Sequence, residues 1–244
     1  MAIAGVCRVT GRAHAAAPAS DDGVTAVIVE EAGEGWLGAL AGAVETGRLT
    51  VPRVSLEGVT AGQVTVWARA ALAALEAPLR YALLADLLDL VERVCELGGI
   101  RRVLVRAFTE APTGRCGFHV DTVAPQAPPF GALRVYNGAC TEYVEPEDVE
   151  DVRRFYAYLS RRERLARGGG EVPAVMDACP DFVRPGAAIR AVPPGAVVFF
   201  RHLDVRRHWS EHPARAAWIH RSPMAGGPRL VVNVSPAERR RRPR

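Results

Sequence analysis

Apolar and polar positions recur with two different periods along this chain, and the change of period divides it near residue 100. Before that point the clearest pattern runs from about Pro78 to Leu97, where Leu83, Leu84, Leu87, Leu88, Val91, Val94 and Cys95 return at three- and four-residue intervals. That spacing lines one broad face of an α-helix, with Pro78 suited to its first turn and Gly98-Gly99 to its end. Upstream, Val24–Glu30 (VTAVIVE) is short and β-branched and predicts a strand, while Trp36–Val44 predicts a short helix ended by Gly47. Residues 1–22, Ala- and Gly-rich and closing on Ser20-Asp21-Asp22, predict a flexible arm.

Beyond residue 100 the period falls to two. Arg102–Phe108 (RVLVRAF) alternates, Phe130–Tyr136 (FGALRVY) predicts a strand, and Ala187–Val192 and Ala196–Arg201 flank a Pro193-Pro194-Gly195 turn. Arg229–Val234 (RLVVNV) reads as a buried strand, and Pro146–Arg167 as a charged helix closed by Gly168-Gly169-Gly170. Short strands joined by turns after a helical portion predict an α+β fold with a double-stranded β-helix (jelly-roll, cupin-like) core and supporting N-terminal helices. The expected organisation is the arm over 1–22, a single domain over 23–238 and an Arg-rich disordered tail over 239–244.

Composition narrows the function classes. With 244 residues, 49% apolar and 24% charged, the chain suits one large domain or two small ones. No run of about 18 uncharged apolar residues is present, so no membrane span is expected, and the N-terminal stretch lacks the apolar core of a secretory signal. All 31 basic residues are Arg, which excludes lysine Schiff-base, P-loop and kinase-type chemistry. Five of those Arg lie in the last six residues, and without them the net charge of +4 becomes −1. The body is therefore near neutral, which argues against a nucleic-acid-binding face. Five scattered Cys without a Cys-x-x-Cys pair exclude a disulfide framework or zinc ribbon and favour a reducing cytoplasm.

The candidate chemistry sits in Cys116-Gly117-Phe118-His119-Val120-Asp121. On an extended strand, residues i and i+2 share a face, so His119 and Asp121 project together. His220 follows 101 residues later in Trp218-Ile219-His220-Arg221-Ser222-Pro223. Two imidazoles and one carboxylate on one side of a metal leave the opposite positions open, the facial arrangement of non-haem Fe(II) oxygenases. Arg229, nine residues past His220, carries the forked guanidinium that would hold the distal carboxylate of 2-oxoglutarate. The alternative is a satisfied His119–Asp121 pair with His220 in a loop or at a helix cap.

Other positions offer support. Arg134 and Tyr136 alternate along one strand and are candidates for the barrel interior as cosubstrate and substrate ligands, a surface arginine being the alternative. Arg106 is a second inward candidate, and Ser222 a carboxylate-binding or turn residue. In the group His202, His208 and His212, the pair His208 and His212 at i and i+4 could hold zinc on a helix, but Pro213 follows and no third ligand is evident beside that pair, so a lid loop carrying Trp209 to the substrate mouth is the better reading. Trp218 fits the core, and Cys116 a buried thiol near the metal.

The segments CGFHVD, ALRVYNGACTEYV, PPGAVVFF, IHRSP and PRLVVNV together resemble a bacterial family of unknown function. Its members carry Cys-Pro-x-Phe-His-x-Asp, then a strand ending Gly-Pro-Gly-Thr-Glu-Trp, then His-Arg-Ser-Pro and Arg-Leu. The likeness covers roughly residues 100–235. This chain departs in Gly117 where Pro is usual, in Gly138-Ala139-Cys140 for Gly-Pro-Gly, and in Tyr143 for Trp. The resemblance implies a cupin-like or oxygenase-like β-helix core but no particular reaction. The expectation is a cytoplasmic, Fe(II)- and 2-oxoglutarate-dependent oxygenase acting with dioxygen on a small molecule, with no nucleic-acid or membrane partner. A cupin-like metalloenzyme independent of 2-oxoglutarate and a non-catalytic metal-binding module are the rivals.

Overall fold

The computed structural model describes residues 5–19, 21–31, 35–113, 117–169 and 172–238. In chain order these form β1 (Gly5–Thr10), α1 (Ala16–Ala19), β2 (Val24–Glu30), α2 (Trp36–Glu45), β3 (Val54–Val59), α3 (Ala61–Ala71) and α4 (Ala77–Gly98). Then follow β4 (Val103–Glu110), β5 (Thr122–Val123), β6 (Phe130–Val135), β7 (Glu142–Val144), α5 (Val152–Arg167), α6 (Ala174–Ala178) and β8 (Arg190–Ala191). The chain closes with β9 (Val197–Arg201), β10 (Leu203–Asp204), α7 (Val205–Glu211), β11 (Ile219–Arg221) and β12 (Arg229–Pro236).

The strands build a mixed seven-stranded sheet, ordered β1-β2-β9-β6-β12-β4-β3, and a smaller sheet ordered β11-β7-β8. The isolated His119–His220 bridge adds one more strand position beside β11. The molecule is layered from outside to inside. Helices α2, α3 and α4 cover one face of the large sheet, burying Leu83, Leu87, Leu90, Val91 and Val94 against Val103, Val105, Val232 and Val234. The other face meets the small sheet across Leu133, Val135, Tyr143, Phe200, Trp218 and Val231. Outside the small sheet, α5 packs Phe155, Tyr156 and Tyr158 onto Phe118, Val144, Phe182 and Ile219.

Local signals explain the boundaries. Helix α4 starts with Pro at its first turn and ends at Gly99, whose φ of 61° is the left-handed conformation that glycine adopts without steric cost. Helix α3 is set by a capping box, in which Thr60 accepts from the Gln63 amide and the Gln63 side chain accepts from Thr60.

Several expectations are corrected. Gly5–Thr10, expected in the arm, is an edge strand paired in parallel with β2. Arg12, in the same expected arm, reaches back to α4, ion-pairing with Asp86 and with Asp89 at 2.6 Å, and with Glu31 at 2.6 Å. The helix expected over Pro146–Arg167 splits into a 3-10 turn at Pro146–Asp148 and α5, which starts at the Asp151 cap. The segment expected to be a lid loop contains α7. The tail over 239–244 lies outside the described residues, and no described helix is long and apolar enough to cross a membrane.

Arg134 and Tyr136 correct the expected facing of β6. Leu133 and Val135 turn toward the small sheet, whereas Arg134 and Tyr136 turn toward α4. Arg134 is fully buried and ion-pairs with Asp86, and Tyr136 donates to the other oxygen of the same carboxylate at 2.6 Å. Asp86 stands among the leucines of α4 and bridges two arginines, which also pair with Glu31 and, for Arg12, with Asp89. Replacing Asp86 with Ala removes the short ion pair of the buried Arg134 and the acceptor of Tyr136, and a loss of about 3–5 kcal/mol in urea unfolding is expected, with no direct effect on His119 or His220.

Candidate metal centre

His119 and His220 face each other because their backbones form one reciprocal antiparallel pair: His119 N donates to His220 O at 2.9 Å, and His220 N to His119 O at 3.0 Å. Directly opposed residues of such a pair place their side chains on the same face. The imidazole centroids are 4.5 Å apart. Asp121, two residues beyond His119, returns to that face, with its Oδ1 3.5 Å from His119 Nε2. One ligating atom from each of the three residues falls within 4.8 Å of the others.

The ring nitrogens are sorted by the backbone. His119 Nδ1 lies 2.9 Å from Gly117 O, and His220 Nδ1 lies 3.1 Å from Trp218 O. A carbonyl can only accept, so Nδ1 carries the proton in the neutral ring and the Nε2 lone pair is left free to bind a metal. Burial pushes His220 down to about 3, with the nearby His119 adding to the effect, so the ring is neutral without a metal. Burial alone would raise Asp121, but the His119 hydrogen bond and the surrounding imidazoles hold its carboxyl well below the usual range. Burial opposes charge on His119, whereas Asp121, which accepts from Nε2 only when the ring is protonated, raises its pKa above the ordinary value; a metal would take the place of that proton. A carboxylate that favours its ionised form and two imidazoles with Nδ1 on backbone carbonyls match the donor set of a divalent transition metal.

The two histidine segments are braced from outside. Phe118 N donates to Tyr158 Oη at 2.9 Å, and Tyr158 donates to Asp177 at 2.5 Å. Arg162 forks onto the same Asp177 carboxylate at 3.1 and 3.0 Å. Arg221, next to His220, donates to Asp177 O and to Glu142 at 2.7 Å. Asp177 on α6 thereby ties the His119 segment to the His220 strand. Gly117 packs so closely under this bracket that a Cβ there would overlap Arg162 Nε and the Tyr158 hydroxyl.

Inside the sheets, Asn233 Nδ2 donates to Asp121 Oδ2 at 3.2 Å. Ser235 Oγ donates to Asn233 Oδ1 at 3.0 Å and lies 3.1 Å from His202 Nε2, while His202 Nδ1 faces Pro129 O at 3.0 Å.

Arg229 and Ser222 do come together: Arg229 Nη2 donates to Ser222 Oγ at 2.9 Å, and Nη1 to Ala139 O at 2.9 Å. Arg229 is buried and has no carboxylate partner among the described residues, and its Nε finds no acceptor. Its cross-strand neighbour Glu110 is instead forked by Arg53 at 3.0 and 2.5 Å. Burial accordingly lowers the Arg229 pKa. By strand alternation Arg229, Val231 and Asn233 share the face of β12 that meets the small sheet.

The remaining candidates fall elsewhere. Arg106 is exposed on β4, opposite Asn233 and on the same face. Trp209, about half exposed, packs edge-on against Tyr156 of α5, its ring centroid 5.4 Å away, rather than on the triad. His208 and His212 also contact Tyr156, at 5.1 and 4.1 Å between centroids, so His202 is not grouped with them. Trp218 is fully buried and stacks on His220 at 4.3 Å. Cys116 lies outside the described residues. Sequence reasoning missed Asn233, Ser235, Tyr158, Arg162, Asp177 and Arg221. A signal existed for the first two: Asn and Ser stand two apart inside the apolar run RLVVNVSP.

A family model described as Protein of unknown function (DUF1826) matches residues 28–234. No curated protein matches the chain. Among solved structures, one titled "Crystal structure of dioxygenase for auxin oxidation (DAO) in rice" is similar at a TM-score of 0.43 and 14% identity, over 94% of this chain and 82% of that one.

Two outcomes follow from the geometry. Calorimetric titration with Co(II) should show one site in the wild type, and His220→Ala should weaken it by more than the roughly 10–100-fold that loss of an outer partner costs. Gly117→Ala, which alters no ligand side chain, should fall within that 10–100-fold range, because its Cβ displaces the Tyr158–Arg162 bracket.

Proposed function

The chain belongs to the DUF1826 family, and we propose that it is a non-haem Fe(II)- and 2-oxoglutarate-dependent oxygenase acting on a small molecule. The observation that carries this reading is the convergence of His119, Asp121 and His220, with both Nδ1 atoms committed to backbone carbonyls. The strand order supports a double-stranded β-helix for the core. Strands β9-β6-β12-β4 form one antiparallel four-stranded sheet, and β8-β7-β11 with the His119 position form the other. Apart from β7 to β8, which stay in the smaller sheet, successive strands of the core pass between the two, as in an eight-stranded jelly roll. The N-terminal strands β1, β2 and β3 merely extend the larger sheet.

In this reading, Fe(II) when bound supplies the redox chemistry with dioxygen, coupled to oxidative decarboxylation of 2-oxoglutarate, that side chains lack. The protein's part is placement. His119, Asp121 and His220 hold the metal from one side and leave the other side for cosubstrate and dioxygen. Arg229 binds the distal carboxylate of 2-oxoglutarate, with Ser222 holding the guanidinium. A buried guanidinium that bonds only neutral oxygens costs several kcal/mol, and an incoming carboxylate offsets that cost. His119 is the most exposed of the three ligands and marks the side open to solvent. The proposal includes a cytoplasmic setting, supported by free thiols at Cys7, Cys95, Cys140 and Cys179.

Anaerobic addition of Fe(II) and 2-oxoglutarate should produce a weak visible charge-transfer band, and its absence in folded, iron-loaded protein overturns the 2-oxoglutarate reading. Tightly held zinc with no oxygen uptake would instead favour a metal-binding module. Arg229→Met should weaken 2-oxoglutarate binding by roughly 10–100-fold, the worth of charge-assisted hydrogen bonds. The same change should leave the thermal midpoint unchanged or higher, because it removes a buried charge without a counterion.

A further inference from the structure

Behind Asp121 lies a buried polar chain for which the proposed chemistry has not yet found a use. Strand β12 is apolar at Leu230, Val231, Val232 and Val234, yet it places Asn233 and Ser235 on one face. Asn233 reaches Asp121 Oδ2, Ser235 reaches the Asn233 amide oxygen, and His202 closes the chain against Pro129 O. Ser235 and His202 are both nearly fully buried. Gly131 makes room for the imidazole, since a Cβ there would overlap His202 Cε1 and Val234 O.

Burying such groups is costly unless each is satisfied, so an apolar strand would be the more stable choice on packing grounds alone. What the chain accomplishes is orientation. Asp121 is an ionised acceptor, so the Asn233 amide must turn its NH2 toward it. Ser235 gives its one proton to Asn233 Oδ1, which keeps the amide oxygen on the Ser235 side, and Ser235 Oγ itself lies 3.1 Å from His202 Nε2. With Oδ2 engaged, Oδ1 is the oxygen presented on the His119 side, 3.5 Å from Nε2.

We propose that Asn233 is a positioning residue, held by Ser235 and His202, that aligns Asp121 to ligate the metal through Oδ1 alone. The inference rests on the metal-centre reading above. A carboxylate confined to one oxygen leaves an extra position on the metal for cosubstrate or dioxygen, whereas a freely rotating one can close it with the second oxygen.

The test uses Co(II), which reports both affinity and coordination. Under anaerobic conditions, full-length wild type, Asn233→Leu and Ser235→Ala are titrated by calorimetry and by visible absorption, with circular dichroism melts as the folding control. Asn233→Leu should weaken Co(II) by about 10–100-fold and change the shape of the d–d absorption, with Ser235→Ala shifting both in the same direction by less. Asn233→Asp, which keeps the size and replaces the donor with an acceptor, should not rescue either. Folded variants that bind Co(II) with wild-type affinity and an unchanged spectrum overturn the positioning role while leaving the metal centre standing. A wild type that binds no Co(II), Mn(II) or Fe(II) overturns the metal centre and this inference with it.

Discussion

Two backbone hydrogen bonds between His119 and His220 carry the arrangement described above. They join segments 101 residues apart into one narrow antiparallel pair, and strand geometry then puts both imidazoles on the same face. Asp121 follows from the two-residue repeat of the same strand. The ligand geometry thus belongs to the sheet rather than to mobile loops, which suits a site that must hold three atoms in fixed relation.

The layers around that pair keep it in register from both sides. Outside the small sheet, Asp177 binds Tyr158 and Arg162 through its carboxylate and Arg221 through its carbonyl, so both histidine segments share one support. Between the sheets, Asn233 holds the Asp121 carboxylate and Trp218 backs His220 by stacking. Arg229 stands apart from these satisfied groups. It is buried and hydrogen-bonded, yet among the described residues it has no carboxylate partner of the kind that Arg12, Arg134, Arg162 and Arg221 have.

The large sheet connects this centre to the rest of the chain. Its second face carries α4, and there Asp86 ion-pairs with Arg12 and Arg134 and accepts from Tyr136. The two polar systems lie on opposite faces of the same strands, separated by the thickness of the sheet. One holds the N-terminal segment to the helical layer through ion pairs; the other holds the His119, Asp121 and His220 cluster and a guanidinium bonded to neutral oxygens.

The chain's sequence alone determined the local elements and the donor set. The long amphipathic helix, the strands over VTAVIVE, RVLVRAF and AVVFF, and the residues His119, Asp121, His220 and Arg229 are legible from periodicity and chemistry. Tertiary structure decided which face each strand residue occupies. Period-two alternation separates two faces but identifies the inner one only when the other is wet. Here the large sheet is covered on both faces, by helices and by the small sheet, so β6 is buried at every position from Phe130 to Val135. Arg134 and Tyr136 could then be assigned to the metal side or to α4 with equal consistency, and only Asp86, about fifty residues earlier and three-dimensionally adjacent, settles it. The same reason hid Asp177 and Tyr158, whose roles exist only because distant segments meet across a sheet.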